Sequence, residues 1–389
     1  LQKIYFIIDG GKMRFFKVLS MVILLTVLVG SLISDDQKFS AQDKATFKGA
    51  KIHRKDGRYE KAFPMFEELL TKYPDNLQVI YNISLCHYYT ENYLEANKFF
   101  DKAIELTNTV IEKIKKENAD NPKKADKEIK KFSKDIDKNF SLEKIQKFKT
   151  SIYQKLYNNI YEQYKNENYD EVISQASTLL EIAPDSSNVV VFIMNSYLKK
   201  EDYDNAIKYR IKISEIEPDN ALVKSQIADY YYNINDYENA LNWYLEVIKL
   251  DENNTDVLFT MGLCYEQLEK PEKALETFEK IIELDPQNLD AIFNSRVFAS
   301  NLELNDKKLK YWKMEIDLAG DELDVQDLSY LCYELYNSEK YDDVLKYAKL
   351  WYNNDNTSKE AVQLLYQSAK KSGEKDLEQK YEKIYKEMP

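Results

Sequence analysis

With 389 residues, only 8 glycines and 8 prolines and a formal charge of −12, the chain is too long for one ordinary core and too poor in turn residues for a strand-rich fold. The surplus of acid argues against a nucleic-acid binder, because an acidic surface repels phosphate. The three cysteines, Cys86, Cys264 and Cys332, lack the paired spacing of metal sites and disulfide frameworks and read as small buried hydrophobes.

Near the start, Met13-Arg14-Phe15-Phe16-Lys17 is a short basic segment, and Val18 to Ser34 is a run of 17 residues without a charge, closed by Asp35 and Asp36. That order is a secretory n-region followed by an h-region. It predicts export to the periplasm or another extracytoplasmic space. Val29-Gly30-Ser31 offers compact residues to a signal peptidase, while 17 uncharged residues is also the lower limit of a bilayer-spanning helix; cleavage and membrane anchoring are both open. Residues 1–12 read as an extension ahead of the signal, and residues 1–34 stand outside the fold.

From residue 43 the chain repeats with a period of 34, the first thing to look for in a long helical sequence. Residues 43–76 place Ala50, Tyr59, Ala62, Phe66 and Pro74 in the register that residues 77–110 fill with Tyr93, Ala96 and Phe100. Residues 111–152 interrupt it with 13 lysines against 8 acids. Ile111, Ile114, Ile129, Phe132, Ile136, Phe140, Ile145 and Phe148 recur there at helical spacing, which predicts amphipathic helix, broken at Asn121-Pro122. The lysines read as a solvated face paired with nearby acids, the other reading being a docking surface for an acidic partner or anionic lipid.

The register resumes over residues 153–288. Tyr169 and Pro184 are followed one period on by Tyr197, Ala206 and Pro218, and then by Ala228, Tyr231, Ala240 and Tyr244. Residues 255–288 carry it most fully: Leu258, Met261, Gly262 and Tyr265 on a first helix, Ala274, Phe278 and Ile281 on a second, and Asp285-Pro286 at the close. Small residues at Gly262 and Ala274 let two antiparallel helices approach, Tyr265 and Phe278 fill the space beside them, and Pro286 stops the second helix. This pattern resembles the tetratricopeptide repeat consensus. The resemblance implies an all-α, right-handed superhelical solenoid of antiparallel helix pairs, here with a long charged helical insertion. It also implies a concave wall, built by the first helices, that binds an extended peptide or a partner helix.

After Asn288 the pattern decays. Residues 289–322 keep Trp312 but have Lys308 where a small residue belongs; residues 325–358 and 359–389 read as degenerate pairs, the last a cap with Lys and Glu on many faces. Eight or nine pairs are expected between residues 43 and 389.

Little in the chain suggests chemistry. The two histidines, His53 and His87, belong to no protease or triad pattern, and the glycines are too sparse for a phosphate loop. Asp135, Asp137 and Asn139 open like a calcium loop, but Phe140 replaces the turn glycine and Gln146 the bidentate glutamate. No catalytic residue, cofactor or metal is expected. The function expected is a non-catalytic interaction scaffold or assembly factor outside the cytoplasm, with a protein or peptide partner, no nucleic acid, and membrane contact through the N-terminal segment and potentially the lysine-rich insertion. The alternative is a self-assembling structural component of the cell envelope. The lysine and asparagine of a carboxylate-clamping repeat do not occur at the matching first-helix positions of the second to sixth pairs. The first-helix residues expected to face the groove are Tyr81, Tyr88, Tyr157, Tyr161, Asn195, Asp229, Tyr232 and Phe259, aromatic and amide groups that suit a peptide wall.

Overall fold

The computed structural model describes residues 39–320 and 323–389; the export segment expected over residues 1–34 lies outside them. The described residues form nineteen helices and no strand. Eighteen follow one another as nine successive first and second helices: α1 (Ala41–Lys55) and α2 (Tyr59–Lys72), α3 (Leu77–Tyr89) and α4 (Tyr93–Glu117), α6 (Leu142–Lys165) and α7 (Tyr169–Ile182), α8 (Ser187–Lys199) and α9 (Tyr203–Ile216), α10 (Ala221–Asn233) and α11 (Tyr237–Ile248), α12 (Thr255–Gln267) and α13 (Pro271–Leu284), α14 (Leu289–Asn301) and α15 (Asn305–Leu318), α16 (Val325–Asn337) and α17 (Tyr341–Asn354), α18 (Lys359–Ser372) and α19 (Lys375–Glu387). The additional helix, α5 (Pro122–Ile136), lies between α4 and α6. The chain divides into two compact units, one ending at Ala206 and one beginning at Ile207. Within each unit a helix pair touches mainly the pairs beside it, which is the construction of a solenoid.

The local sequence explains where each helix begins and ends. Every first helix except α8 is capped by a short polar side chain that accepts from an otherwise unpaired backbone N–H, as Asn76 does for α3, Asn254 for α12 and Asn288 for α14. Where a proline follows a second helix, at Pro74, Pro184 and Pro286, the helix stops at a residue pulled out of the helical region, which is what proline imposes on its predecessor. The turn inside each pair is tighter than the sequence pattern announces. Every first helix leads into a residue in the left-handed region: Gly57 and Gly373 in the outermost pairs, Asn235 in the fifth, and glutamate at 91, 167, 201, 269, 303 and 339. The backbone closes there in paired bonds, for example Lys270 N–H to the Tyr265 carbonyl at 2.9 Å and Glu269 N–H to that of Glu266 at 2.9 Å.

The core follows the 34-residue register. Ala62, Ala96, Ala240 and Ala274 are fully buried, and the aromatic positions Phe66, Phe100, Tyr244 and Phe278 lie beneath the same surface. Lys308, where a small residue was expected, is accommodated because its ammonium reaches the Glu334 carboxylate at 2.7 Å in the following pair, leaving its stem half-buried. In unit 2 the apolar core divides at α15: Tyr311 belongs to the cluster built on α11 to α14, whereas Leu309, Trp312 and Ile316 belong to that of α16 to α19.

The interruption is an integral part of unit 1. α4 runs on to Glu117, Asn121 caps α5 with Pro122 in its first turn, and α6 begins at Leu142, eleven residues before the repeat register resumes at 153. Segment 136–152 lies back on the first-helix face of the second pair. Gln78 Nε2 donates to the Asp135 carbonyl at 2.8 Å, the Phe140 ring meets Tyr81 edge-on at 5.0 Å, and Phe148 meets Tyr88 at 4.8 Å. Ile136, Phe140, Ile145 and Ile152 share one buried cluster with Ile80, Leu85 and Phe100.

Candidate functional site

In unit 1 a pocket of about 480 Å³ opens between α1, α3 and α6. Arg54 at the end of α1 and Tyr88 at the end of α3 stand one 34-residue period apart and both line it. The opposite wall comes from the interruption: Asp137 and Asn139 in the loop before α6, then Lys144, Lys147, Phe148 and Ser151 on its first turns. The rings are mutually braced. Tyr89 is stacked on Tyr59 at 5.7 Å and crosses Tyr88 at 5.2 Å, and the Tyr88 hydroxyl is 2.9 Å from Ser151 Oγ.

The charges of this pocket are unequal in their partners. Asp137 is buried, which by itself raises its pKa, yet the Asn139 N–H at 3.0 Å and the Lys51 ammonium at 3.1 Å hold the carboxyl below its ordinary value. Arg54 makes no direct ion pair among the described residues, although its charge helps to hold Asp137 low, and its half-buried guanidinium keeps Nε without an acceptor. The Lys144 ammonium donates to the Asn139 amide oxygen at 3.3 Å and makes no ion pair among the described residues, and Lys147 meets Glu143 on the same exposed face at 2.7 Å. Burial pushes the Tyr81 hydroxyl up to about 12, with the Asp137 charge adding to it, so this phenol stays protonated.

The residues expected to face the groove fall into separate places. Tyr81 is only 2% exposed because Phe140 covers it, so it forms the pocket's inner edge, whereas Tyr88 is half-buried on the wall. Tyr157 and Tyr161 on α6 converge on Phe192 of α8, at 5.5 and 6.4 Å, together with Tyr164 at 5.4 Å and with Tyr153 stacked on Tyr157. Asn195 is half-buried one turn after Phe192. In unit 2, Asp229 is exposed and accepts from the Tyr244 hydroxyl at 2.7 Å; burial first and this carboxylate second drive the phenol's pKa upward. Tyr232 crosses Tyr237 at 5.7 Å, and Phe259 packs edge-on against Phe278 at 5.3 Å. Sequence reasoning missed Arg54, Tyr89 and Phe192, which the 34-residue register could have supplied, and Asn139, Lys144 and Ser151, which it could not.

The two histidines, His53 and His87, lie on α1 and α3. His87 is buried between Phe63 at 4.6 Å and Phe99 at 5.4 Å, and burial pulls its pKa down, partly opposed by Glu95. Among the described residues no three His, Cys, Asp or Glu side chains are grouped so as to hold a metal ion, and no helix is long and apolar enough to cross a membrane.

Family models described as tetratricopeptide repeat match residues 44–76, 77–109 and 255–288, and one described as TPR repeat matches residues 228–269. The chain is a tetratricopeptide repeat protein. Among curated proteins none matches it. Similar solved structures include MamA from Desulfovibrio magneticus, 14% identical, covering 43% of this chain and 94% of that one with a TM-score of 0.31. YrrB, described as a TPR protein with an unusual peptide-binding site, is 22% identical over 43% of this chain and 86% of its own, with a TM-score of 0.32. The C-terminal part of a TPR repeat-containing protein from Cytophaga hutchinsonii is 15% identical over 82% and 99%, with a TM-score of 0.34. Nothing of their function is carried over at that level of likeness. Repeats of this family are typically non-catalytic modules that bind proteins or peptides, and this tetratricopeptide repeat protein is accordingly a protein–protein interaction scaffold.

Proposed function

We propose that the chain is an exported scaffold that holds a segment of a partner protein against the first-helix face of its repeats, and that the pocket of unit 1 is its main anchoring point. The observation that carries this reading is the pocket itself, where Arg54 and Tyr88, one period apart on consecutive first helices, face a common space of about 480 Å³. The rings around Phe192 continue an aromatic surface along α6, where Tyr161 is 48% exposed; aromatic side chains supply contact area with little rotamer entropy to lose. Unit 2 offers a second, separate surface at Tyr232 and Phe259. Export rests on Met13 to Ser34. If retained, that segment tethers the chain to the membrane.

A photo-crosslinking amino acid at position 89, installed in the full chain in cells, should capture one dominant protein. Alanine at Tyr157, Tyr161 or Tyr232 should then each cost about 1–2 kcal/mol of affinity for it with helicity retained. Unchanged affinity after all three substitutions moves binding away from these faces. N-terminal sequencing and fractionation test export: a cytoplasmic product that keeps residue 13 refutes it.

A further inference from the structure

The interruption changes the chemistry of the pocket it helps to build. Chain residues 39–206 carry 27 basic and 27 acidic side chains, and residues 207–389 carry 23 and 37. Against that background the unit 1 pocket gathers Arg54, Lys144 and Lys147 around a single carboxylate, Asp137, which Lys51 already neutralises. Only Lys147 of the three has an ion-pair partner among the described residues, and that partner, Glu143, is exposed and one turn away on the same helix. A half-buried guanidinium that makes no direct ion pair has lost part of its hydration with only the through-space pull of Asp137 to compensate, so an arriving carboxylate gains more there than at a solvated lysine. The planar fork of arginine also matches both oxygens of a carboxylate, which a point-like ammonium does not. Beside these cations stand Tyr89, 49% exposed, and the half-buried Phe148, a slot for an apolar side chain next to the acid.

We infer that the unit 1 pocket recognises an acidic segment of the partner protein, in which a glutamate or aspartate carboxylate docks on Arg54 and Lys144 while a neighbouring large apolar side chain lies against Tyr89 and Phe148. This rests on the reading of the pocket as the partner-binding site, and it assigns to the interruption the task of setting specificity. Arg54 comes from the regular repeat, whereas Lys144 and Phe148 come from the inserted segment, so neither part recognises the ligand alone. The commitment is to carboxylate side chains of a protein. The chain's overall negative charge works against non-specific capture of such a segment elsewhere.

The test uses the full chain and two fluorescein-labelled peptides of nine residues, one alternating glutamate with leucine and phenylalanine, the other identical but with glutamine for each glutamate. Fluorescence anisotropy should show the glutamate peptide binding at least about tenfold more tightly, the scale of one charge-assisted fork. Arg54→Gln and Lys144→Gln should each reduce that preference to about threefold or less, while Arg54→Lys should keep part of it. Circular dichroism confirms that each variant remains helical. Equal binding of the two peptides overturns the inference, as does binding of neither, and so does a preference that survives both glutamine variants. The position-89 crosslink keeps the two levels apart: continued capture of a partner together with equal peptide binding leaves the pocket as the binding site and removes only its acid specificity.

Discussion

Gly262 should be among the least replaceable residues of unit 2, against the usual rule that alanine improves a helix. A Cβ built there would lie 2.6 Å from Phe278 Cζ and 2.7 Å from Cε2, roughly 1 Å inside normal carbon contact. The ring cannot swing away. Phe278 is fully buried, with Phe259 edge-on at 5.3 Å and Phe298 stacked at 5.8 Å. Overpacking of this kind costs about 1–3 kcal/mol, and the gain in helix propensity returns about 1 kcal/mol. Gly262→Ala should therefore destabilise unit 2 by a net of up to about 2 kcal/mol. The midpoint of urea unfolding measures it, and the buried Cys264 thiol, two residues along the same helix, should react faster with a thiol reagent as the pair loosens. Phe278→Leu should cost less in the Gly262→Ala background than alone, with a coupling of about 0.5–3 kcal/mol. An unchanged or raised midpoint in Gly262→Ala, or strict additivity with Phe278→Leu, refutes the close-approach argument.

The left-handed turns give an opposite expectation. Glu269, Glu303 and Glu339 occupy the left-handed region at φ of 55°, 57° and 58°, which costs a non-glycine residue roughly 1–2 kcal/mol, and each places a negative charge at the unfavourable end of a helix dipole. Glycine there gives back about 0.4–1 kcal/mol through the unfolded chain, so each substitution should stabilise unit 2 by ~0.5–1 kcal/mol, and the urea midpoint of the triple variant should rise clearly. The buried His87 supplies a pH dependence. Burial lowers its pKa from the ordinary 6.5, so the unfolded chain binds the proton more readily; the contribution is fully present above pH 6.5 and is lost as pH falls below it towards the depressed folded value. His87→Phe should flatten the fall in stability between pH 7 and pH 5 seen by thermal melting, and an identical slope in both proteins refutes this.

What the sequence made legible was the 34-residue period and the packing of the helix pair that it encodes. Gly262 and Ala274 marked the closest approach of a helix pair, Phe278 its filler and Pro286 its end, because those properties depend on residues within one pair. The left-handed turns were not legible, since their commonest occupant is glutamate, a residue with no preference for that conformation. The helix end is dictated instead by the paired backbone bonds that close each turn. The seventh pair was legible only in part. Lys308 broke the pattern, but its tolerance depends on Glu334 in the next pair, a contact between repeats that no single repeat announces.

The groove shows the same limit in a sharper form. Tyr81 and Tyr88 hold equivalent standing in the sequence, both being tyrosines on the inward side of α3, and their fates differ because of residues some sixty positions later. Phe140 closes over Tyr81, whereas Ser151 and Phe148 brace Tyr88 from the side and leave its ring on a wall. A regular solenoid would have set another first helix beside α3. The interruption sets a loop and the early turns of α6 there, and so trades a repeated surface for a unique one. That is why the period gave Tyr88 and could have supplied Arg54 and Tyr89, but could not supply Asn139 or Lys144: the second wall of the pocket exists only through the way residues 136–152 fold back. Of the Asp135, Asp137 and Asn139 triplet, Asp135 lies in the last turn of α5 while Asp137 and Asn139 belong to this same loop, and the Asp137 carboxylate serves Lys51 and the Asn139 N–H. Its role is to fix the fold-back, and because it pairs with Lys51 it reaches Arg54 only through space, which leaves the guanidinium without a direct ion pair and open to one from outside.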